Sequence, residues 1–345
     1  VHGATEPADV LSRPLPDGLP PGARDWFARR TYTARTWDEE RIRELKGGTR
    51  VSVVLPARDE SATVGEIVSA IRGALVSGPA PVVDEIIVID SHSSDGTARI
   101  AEKAGALVVH QDDVRPDLPP GRGKGDALWK SLAVATGDVA VFLDADVRDF
   151  TPRYVTGLLG PLLADARIAY VKGFYERPAA RTADGPGAGG GRVTELVARP
   201  LLNLLRPELA GFVQPLAGEA AGRTDVLRRV PFATGYGVEI GLLLDLFDLV
   251  GLDRLAQVDL GVRRHRHQSL ADLGAMAAQV HSAALRRLAD GLPGIAPDGP
   301  DPVRHLVQYE HEDGAGLRAR VREVPVAERP PHLPAAADAA ERPVR

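Results

Sequence analysis

The sequence predicts an α/β protein with a mostly parallel, Rossmann-like sheet, on three observations. Apolar runs at Val51–Leu55, Glu85–Asp90 and Val139–Leu143 are separated by helix-period segments, the pattern of buried strands joined by crossover helices. Each run ends in polar, chemistry-bearing residues: Pro56-Ala57-Arg58-Asp59-Glu60, Asp90-Ser91 and Asp144-Ala145-Asp146. Ligands of open α/β sheets bind beyond the carboxyl ends of the strands, so these three segments belong to one candidate site.

Taken in order, residues 1–48 form an N-terminal extension, Pro- and Gly-rich and then polar, with Trp26, Phe27 and Trp37 as anchors and little regular core expected. Residues 49–150 carry the alternation: strand Val51–Leu55, helix Val64–Ala74, strand Glu85–Asp90, helix Thr97–Ala104, strand Ala106–His110, helix Asp126–Ala135 and strand Val139–Leu143. Residues 151–292 continue with a helix at Pro152–Leu163 and a strand at Ile168–Phe174. A Gly- and Pro-rich surface loop, Pro178–Gly190, follows. Beyond it the chain reads as mainly helical, at Arg192–Leu205, Val238–Val250 and Leu270–Leu288, with a strand-like Ala256–Leu260. Residues 293–345 read as a flexible Pro- and Ala-rich tail, disordered from Ala327.

Composition narrows the function classes. A chain of 345 residues with 44% hydrophobic content buries a sizeable core. The absence of cysteine excludes disulfides, thiolate metal sites and a cysteine nucleophile. A net charge of −5 argues against a general nucleic-acid binder. No apolar stretch reaches the roughly 18 to 20 residues of a membrane span, and the first residues lack a signal-peptide pattern. A cytoplasmic enzyme is the expectation.

Asp144 and Asp146 present two carboxylates at a strand end, where a hard cation such as Mg²⁺ takes oxygen ligands and bridges phosphates. Pro56–Glu60 and Asp90-Ser91 close adjacent strands and can hold a base and its ribose, although Asp59 or Ser61 would also serve as an ordinary helix cap. Asp95-Gly96 reads as a turn. Gly121-Arg-Gly-Lys124-Gly125 runs into a helix and makes a diphosphate cradle or a solvated loop; it matches neither a Walker A nor a dinucleotide motif. Gly189-Gly-Gly191-Arg192-Val-Thr194 either converges amides, a guanidinium and a hydroxyl on a second anion site, which belongs to an acceptor if the first half holds a donor diphosphate, or is a flexible linker with a solvated arginine. Arg263-Arg-His265-Arg-His267 is either a solvated basic loop or a segment whose imidazole completes a metal's coordination, Mn²⁺ tolerating nitrogen better than Mg²⁺. Glu239, after two glycines and at the start of an apolar helix, either favours the helix terminus or orients and deprotonates an acceptor hydroxyl.

The strings Gly190-Gly-Arg-Val-Thr-Glu-Leu-Val-Ala-Arg-Pro200-Leu, Leu205-Arg-Pro-Glu-Leu209, Gln214-Pro-Leu-Ala-Gly-Glu219, Val230-Pro-Phe-Ala-Thr-Gly-Tyr-Gly-Val-Glu239-Ile-Gly and Leu260-Gly-Val-Arg-Arg-His265-Arg closely resemble actinobacterial glucosyl-3-phosphoglycerate synthases. The resemblance covers about residues 22 to 290. It implies a GT-A fold, with a nucleotide-sugar-binding region at 49–150 and an acceptor-binding region at 151–292. It implies a retaining glucosyltransferase that moves glucose from UDP-glucose to the 2-hydroxyl of D-3-phosphoglycerate with Mg²⁺ (or Mn²⁺), as a homodimer, toward glucosylglycerate and methylglucose polysaccharides. The resemblance puts Pro56, Ala57, Arg58, Glu60 and Ser91 around the donor nucleoside, with Lys124, Asp144, Ala145 and Asp146 beside ribose and diphosphate. It makes Asp146 and His265 the metal ligands. Gly191, Arg192 and Thr194 would hold phosphoglycerate, with Arg263 grouped on the acceptor side, and Glu239, Asp146 and Lys124 would carry the chemistry.

Three positions depart from the family pattern. His92 stands where relatives have Gly, Arg264 replaces an acidic neighbour of the metal histidine, and His267 is an additional imidazole. Two alternatives remain: a related transferase using GDP-mannose or GDP-glucose, and a non-catalytic nucleotide-sugar sensor on the same fold.

Overall fold

The computed structural model describes residues 19–176, 181–182, 185–186, 191–263, 269–288, 305–312 and 316–333. The first part of the chain runs α1 (Pro21–Arg30), β1 (Thr31–Thr33), α2 (Glu39–Lys46), β2 (Val51–Ala57), α3 (Val64–Ile71), β3 (Glu85–Asp90), α4 (Thr97–Ala104), β4 (Leu107–His110), α5 (Lys124–Val134), β5 (Val139–Phe142), α6 (Arg153–Ala164) and β6 (Tyr170–Glu176). It continues through β7 (Arg181–Thr182), β8 (Gly185–Pro186), α7 (Arg199–Leu205), β9 (Ala220–Arg223), α8 (Thr224–Leu227), β10 (Phe232–Ala233), α9 (Val238–Val250), β11 (Leu255–Val262) and α10 (Leu270–Leu288). It closes with β12 (His305–Glu312), β13 (Gly316–Glu323) and β14 (Glu328–Arg329).

Eight strands form the central sheet in the order β1-β11-β6-β9-β5-β2-β3-β4. All neighbours pair in parallel except β9, which runs antiparallel between β6 and β5. The apolar runs of β2, β3 and β5 are buried on both faces, and one core cluster covers each face of the sheet. The parallel register ends β2 and β3 together, with Pro56 opposite Ile89 and Ala57 opposite Asp90. This alignment gathers their polar ends on one rim. No helix among the described residues is long and apolar enough to cross a membrane.

The N-terminal extension is more ordered than its composition suggests. Trp26 and Trp37 are buried, the Trp26 indole donates to the Leu255 carbonyl at 2.8 Å, and β1 joins the sheet beside β11. The three aromatics act as anchors, but they bring α1, β1 and α2 into the core with them. Segment β9, Ala-Ala-Gly-Arg, was hidden among helices because its small residues carry no apolar alternation.

The expected flexible tail is also corrected. Residues 305–312 and 316–323 pair as an antiparallel hairpin, and the segment from Val324 to Leu333 returns to the body. Val324 and Val326 are buried, β14 pairs with β10, and His332 stacks on Trp129 with ring centroids 4.2 Å apart. Composition was a poor guide because the ordering partners lie about 100 to 200 residues away in sequence.

Candidate active site

The loops beyond β2 and β3 are locked to each other by side chains. The Glu60 amide donates to Thr97 Oγ1 at 2.8 Å, and the Ser61 amide to Asp95 Oδ2 at 3.0 Å. Hydrogen bonds from the Thr97 hydroxyl and the Ser61 amide hold the Asp95 carboxyl well below the usual carboxylate range, so its turn role is structural. Asp59 does not cap α3. It sits at φ 56° and accepts from the amide and hydroxyl of Ser94. Thr63 Oγ1 donates to the Ala145 carbonyl at 2.6 Å, tying this loop to the Asp-x-Asp segment.

His92 adopts φ 63°, in the left-handed region that favours glycine. Its Nε2 lies 2.7 Å from Asp112 Oδ2, and that contact holds the Asp112 carboxyl below its ordinary pKa. A tethered imidazole thus occupies the turn just beyond the end of β3.

Lys124, the first residue of α5, points its ammonium between two carboxylates. It pairs with Asp144 Oδ1 and lies 2.8 Å from Glu239 Oε1, in the first turn of α9. Burial disfavours the charged ammonium, but Asp144 and Glu239 more than offset it and hold the Lys124 pKa well above the ordinary lysine value. Asp144 is likewise opposed by burial but kept ionised by Lys124 and Arg263.

Arg263, at the end of β11, crosses to the same point. Its Nη2 lies 2.7 Å from Asp146 Oδ1 and 3.1 Å from Asp144 Oδ2, and its Nη1 donates to Tyr175 Oη at 2.7 Å. Glu219, wholly buried, stands behind it with Oε1 2.6 Å from Nη1, an ion-pair distance without hydrogen-bond geometry. Burial pushes the Glu219 carboxyl up, even with Arg263 beside it. Arg263 was grouped with the acceptor residues. Its guanidinium contacts Asp144, Asp146 and Glu219, whose three carboxylates hold the buried cation.

Lys124, Asp144, Asp146, Tyr175, Glu239 and Arg263 line one cleft of about 1020 Å³. Pro56, Ala57, Arg58, Glu60 and Ser91 lie along it, as do Lys124, Asp144, Ala145 and Asp146. So do Gly191, Arg192, Thr194, Glu239 and Arg263. Gly191 has φ 96° and opens the helical stretch in which Thr194 is buried. His265 and His267 lie outside the described residues, as does most of the loop Pro178–Gly190.

A sequence model described as glycosyl transferase family 2 matches residues 52–201. A glucosyl-3-phosphoglycerate synthase from Mycolicibacterium smegmatis is 47% identical over 306 residues, covering 89% of this chain and 96% of that relative. The chain belongs to the glucosyl-3-phosphoglycerate synthase family. It is a glycosyltransferase with the GT-A type of fold seen in its structural relatives. Among solved structures, a mannosyl-3-phosphoglycerate synthase from Rubrobacter xylanophilus is 40% identical with a TM-score of 0.81, over 91% of this chain and 98% of that one. The glucosyl-3-phosphoglycerate synthase of Mycobacterium tuberculosis, solved with Mn²⁺, UDP-glucose and phosphoglyceric acid, is 42% identical with a TM-score of 0.73, over 86% of this chain and 94% of that one.

In this member of the glucosyl-3-phosphoglycerate synthase family, Asp144 Oδ2 and Asp146 Oδ1 converge on a single nitrogen of Arg263. Carboxylate oxygens converging on one cationic point suit a hard divalent ion. No set of three metal-ligating side chains occurs among the described residues; the expected imidazole ligand, His265, is not one of them. Sequence reading missed Glu219, Tyr175 and the wall formed by Glu323, Pro325 and Ala327. Only Glu219 carried a usable signal, a lone acid amid the small residues of Ala217-Gly-Glu-Ala-Ala-Gly222.

Proposed function

We propose that the protein transfers glucose from UDP-glucose to the 2-hydroxyl of D-3-phosphoglycerate with retention, giving glucosyl-3-phosphoglycerate. One observation carries the reading: a single cleft joins the ends of β2, β3 and β5 to the Gly191–Thr194 helix start, with Lys124 and Glu239 between them. The ligands of the M. tuberculosis relative support the same pairing of donor and acceptor.

Pro56, Ala57, Arg58, Glu60 and Ser91 hold the nucleoside end of the donor, with Ala145 at the ribose. A divalent cation, Mg²⁺ or Mn²⁺, would be held by Asp146 with Asp144 close by and His265 as the expected imidazole ligand. When bound, it supplies charge neutralisation at the diphosphate. Lys124, kept charged by its two carboxylates, adds a fixed positive charge beside the departing UDP. Gly191, Arg192 and Thr194 bind the phosphate of the acceptor through amides, guanidinium and hydroxyl. Glu239, fixed by Lys124, orients the acceptor hydroxyl. Both Asp144 and Glu239 are engaged by Lys124, which favours attack on the same face as the leaving phosphate over a carboxylate nucleophile.

A second reading is supported by the R. xylanophilus relative: the same class of product made with mannose. His92, at the nucleoside end, is a further reason to test the donor base. Product mass and released nucleotide are measured with Mg²⁺ and D-3-phosphoglycerate against UDP-glucose, GDP-glucose and GDP-mannose in parallel. A hexosyl-phosphoglycerate formed fastest from UDP-glucose is expected. Preference for a GDP sugar keeps the reaction class and changes the donor; UDP binding with no turnover on any donor makes the protein a sensor. The homodimer implied by the family is checked by light scattering.

A further inference from the structure

We propose that Arg329, in the segment returning from the C-terminal hairpin, is a positioning residue for transfer: it fixes the loop that carries Lys124. The inference rests on the transferase reading above for its assay, and on a separate set of contacts for its argument.

Helix α5 begins without a side-chain cap, after Gly123 at φ 80°. The loop before it, Pro119–Gly123, is glycine-rich, so local sequence leaves the position of Lys124 loosely specified. Arg329 ties this loop at both ends. Its Nη2 donates to the Pro119 carbonyl at 2.8 Å, and its Nε donates to Asp126, two residues after Lys124. Asp126 is wholly buried, accepts also from Gln111, and lies 3.5 Å from Lys130 Nζ. A buried carboxylate held by this set of donors fixes the first turn of α5 firmly. Gly121 has no room for a side chain, since a Cβ there would meet Asp126 and Arg329.

Arg329 is itself held. It pairs with Phe232 in the β10–β14 ladder, and its guanidinium lies over the Trp129 ring at 5.5 Å. Glu328 takes a two-pronged salt bridge from Arg287 on α10, at 2.9 and 3.0 Å. The Thr234 amide donates to the Ala327 carbonyl at 2.8 Å, and the Ala327 amide to Thr234 Oγ1 at 3.0 Å. Thr234 precedes the Gly235–Gly237 turn that leads into α9 and Glu239. One returning segment therefore supports both partners of the Lys124–Glu239 pair, while Ala327 lines the cleft directly. A planar guanidinium can bridge a carboxylate and a carbonyl that a single ammonium cannot span.

The test is a double-mutant cycle in the full chain with UDP-glucose and D-3-phosphoglycerate. Wild-type turnover is measured first and judges the transferase reading independently; only ratios between variants judge Arg329. Arg329→Lys keeps a cation beside Asp126 but gives up the bridge to Pro119. Its kcat is expected to fall by about 10²-fold, the scale of a 1 Å misplacement of a reacting group. In a Lys124→Met background the same change is expected to cost less than about 3-fold, because the group it positions is gone. Amide exchange in residues 120–125 should rise, with other protected segments unchanged. An equal loss in both backgrounds, or undiminished turnover, overturns the proposal. Should Arg329→Lys fail to fold, the neutral pair Asp126→Asn with Arg329→Gln replaces it in the same cycle and is judged by the same ratio; if that pair also fails to fold, Arg329 is a stability residue and the proposal is overturned.

Discussion

Lys124 Nζ lies 2.8 Å from Glu239 Oε1, and this contact joins the first turn of α5 to the first turn of α9 across the cleft. Because the same ammonium pairs with Asp144, one cation compensates two carboxylates from different elements. Lys124→Met is expected to lower kcat by about 10² to 10³-fold, the range for removing one fixed charge-stabilising donor. Nucleotide release under saturating substrates checks it, with circular dichroism to confirm the fold. A folded variant with normal kcat would remove Lys124 from the chemistry.

Asp146 is partly exposed, and its carboxylate contact is to Arg263 at 2.7 Å. Asp146→Asn is expected to leave the unfolding midpoint within a few degrees while weakening Mn²⁺ binding in the presence of UDP. The loss should exceed the roughly 10- to 100-fold that follows loss of an outer-shell partner. Titration calorimetry or Mn²⁺ electron spin resonance reads this directly. Unchanged affinity would take Asp146 out of the metal set.

Asp245 on α9 accepts from Arg287 Nε at 2.8 Å, yet burial pushes its carboxyl up to about 6. The native state therefore keeps this proton to higher pH than the unfolded chain does. Between the unfolded value near 3.8 and the folded value near 6, the native state binds more protons, so this contribution to stability falls as pH rises and is flat above the window. Asp245→Asn abolishes it. Relative to wild type, the variant should gain about 2 kcal/mol between pH 4 and 6. Urea unfolding at the two pH values measures the difference, and parallel pH dependence in both proteins would contradict it.

Trp26 tests whether the N-terminal segment belongs to the folded unit. Its ring lies 4.4 Å from that of Phe212 and its indole N–H reaches the Leu255 carbonyl. Trp26→Ala is expected to cost about 3 to 5 kcal/mol, as for other buried Trp or Phe truncations. Denaturant unfolding gives the number; a change below about 1 kcal/mol would mean that the segment contributes little to the core.

Much of the region from β2 to β5 was legible because its signals are short-range. The runs of β2, β3 and β5 declare buried strands, and parallel pairing carries their polar ends to one rim. Lys124, Asp144 and Asp146 could be named for the same reason. Glu239 was named from its two glycines and helix start, but nothing local pointed to Lys124 as its partner 115 residues earlier. Arg263 was visible as a basic residue, but nothing local pointed to its carboxylate partners. Its choice among carboxylates depends on Glu219 and Asp146, which lie 44 and 117 residues away.

By itself, the sequence determined the α/β alternation, the strand-end carboxylates, the two glycine-led helix starts and the family strings that connect them to a glycosyltransferase. Those are properties of neighbouring residues: hydrophobic period, turn chemistry and side-chain identity. The tertiary structure decided that β9 enters the sheet antiparallel, that β1 joins it beside β11, and that the segment carrying Arg329 closes over α5. It also decided which buried cation faces which buried acid. Such pairings follow from burial, because a charge removed from water must find its compensation within the fold wherever the chain has brought one near.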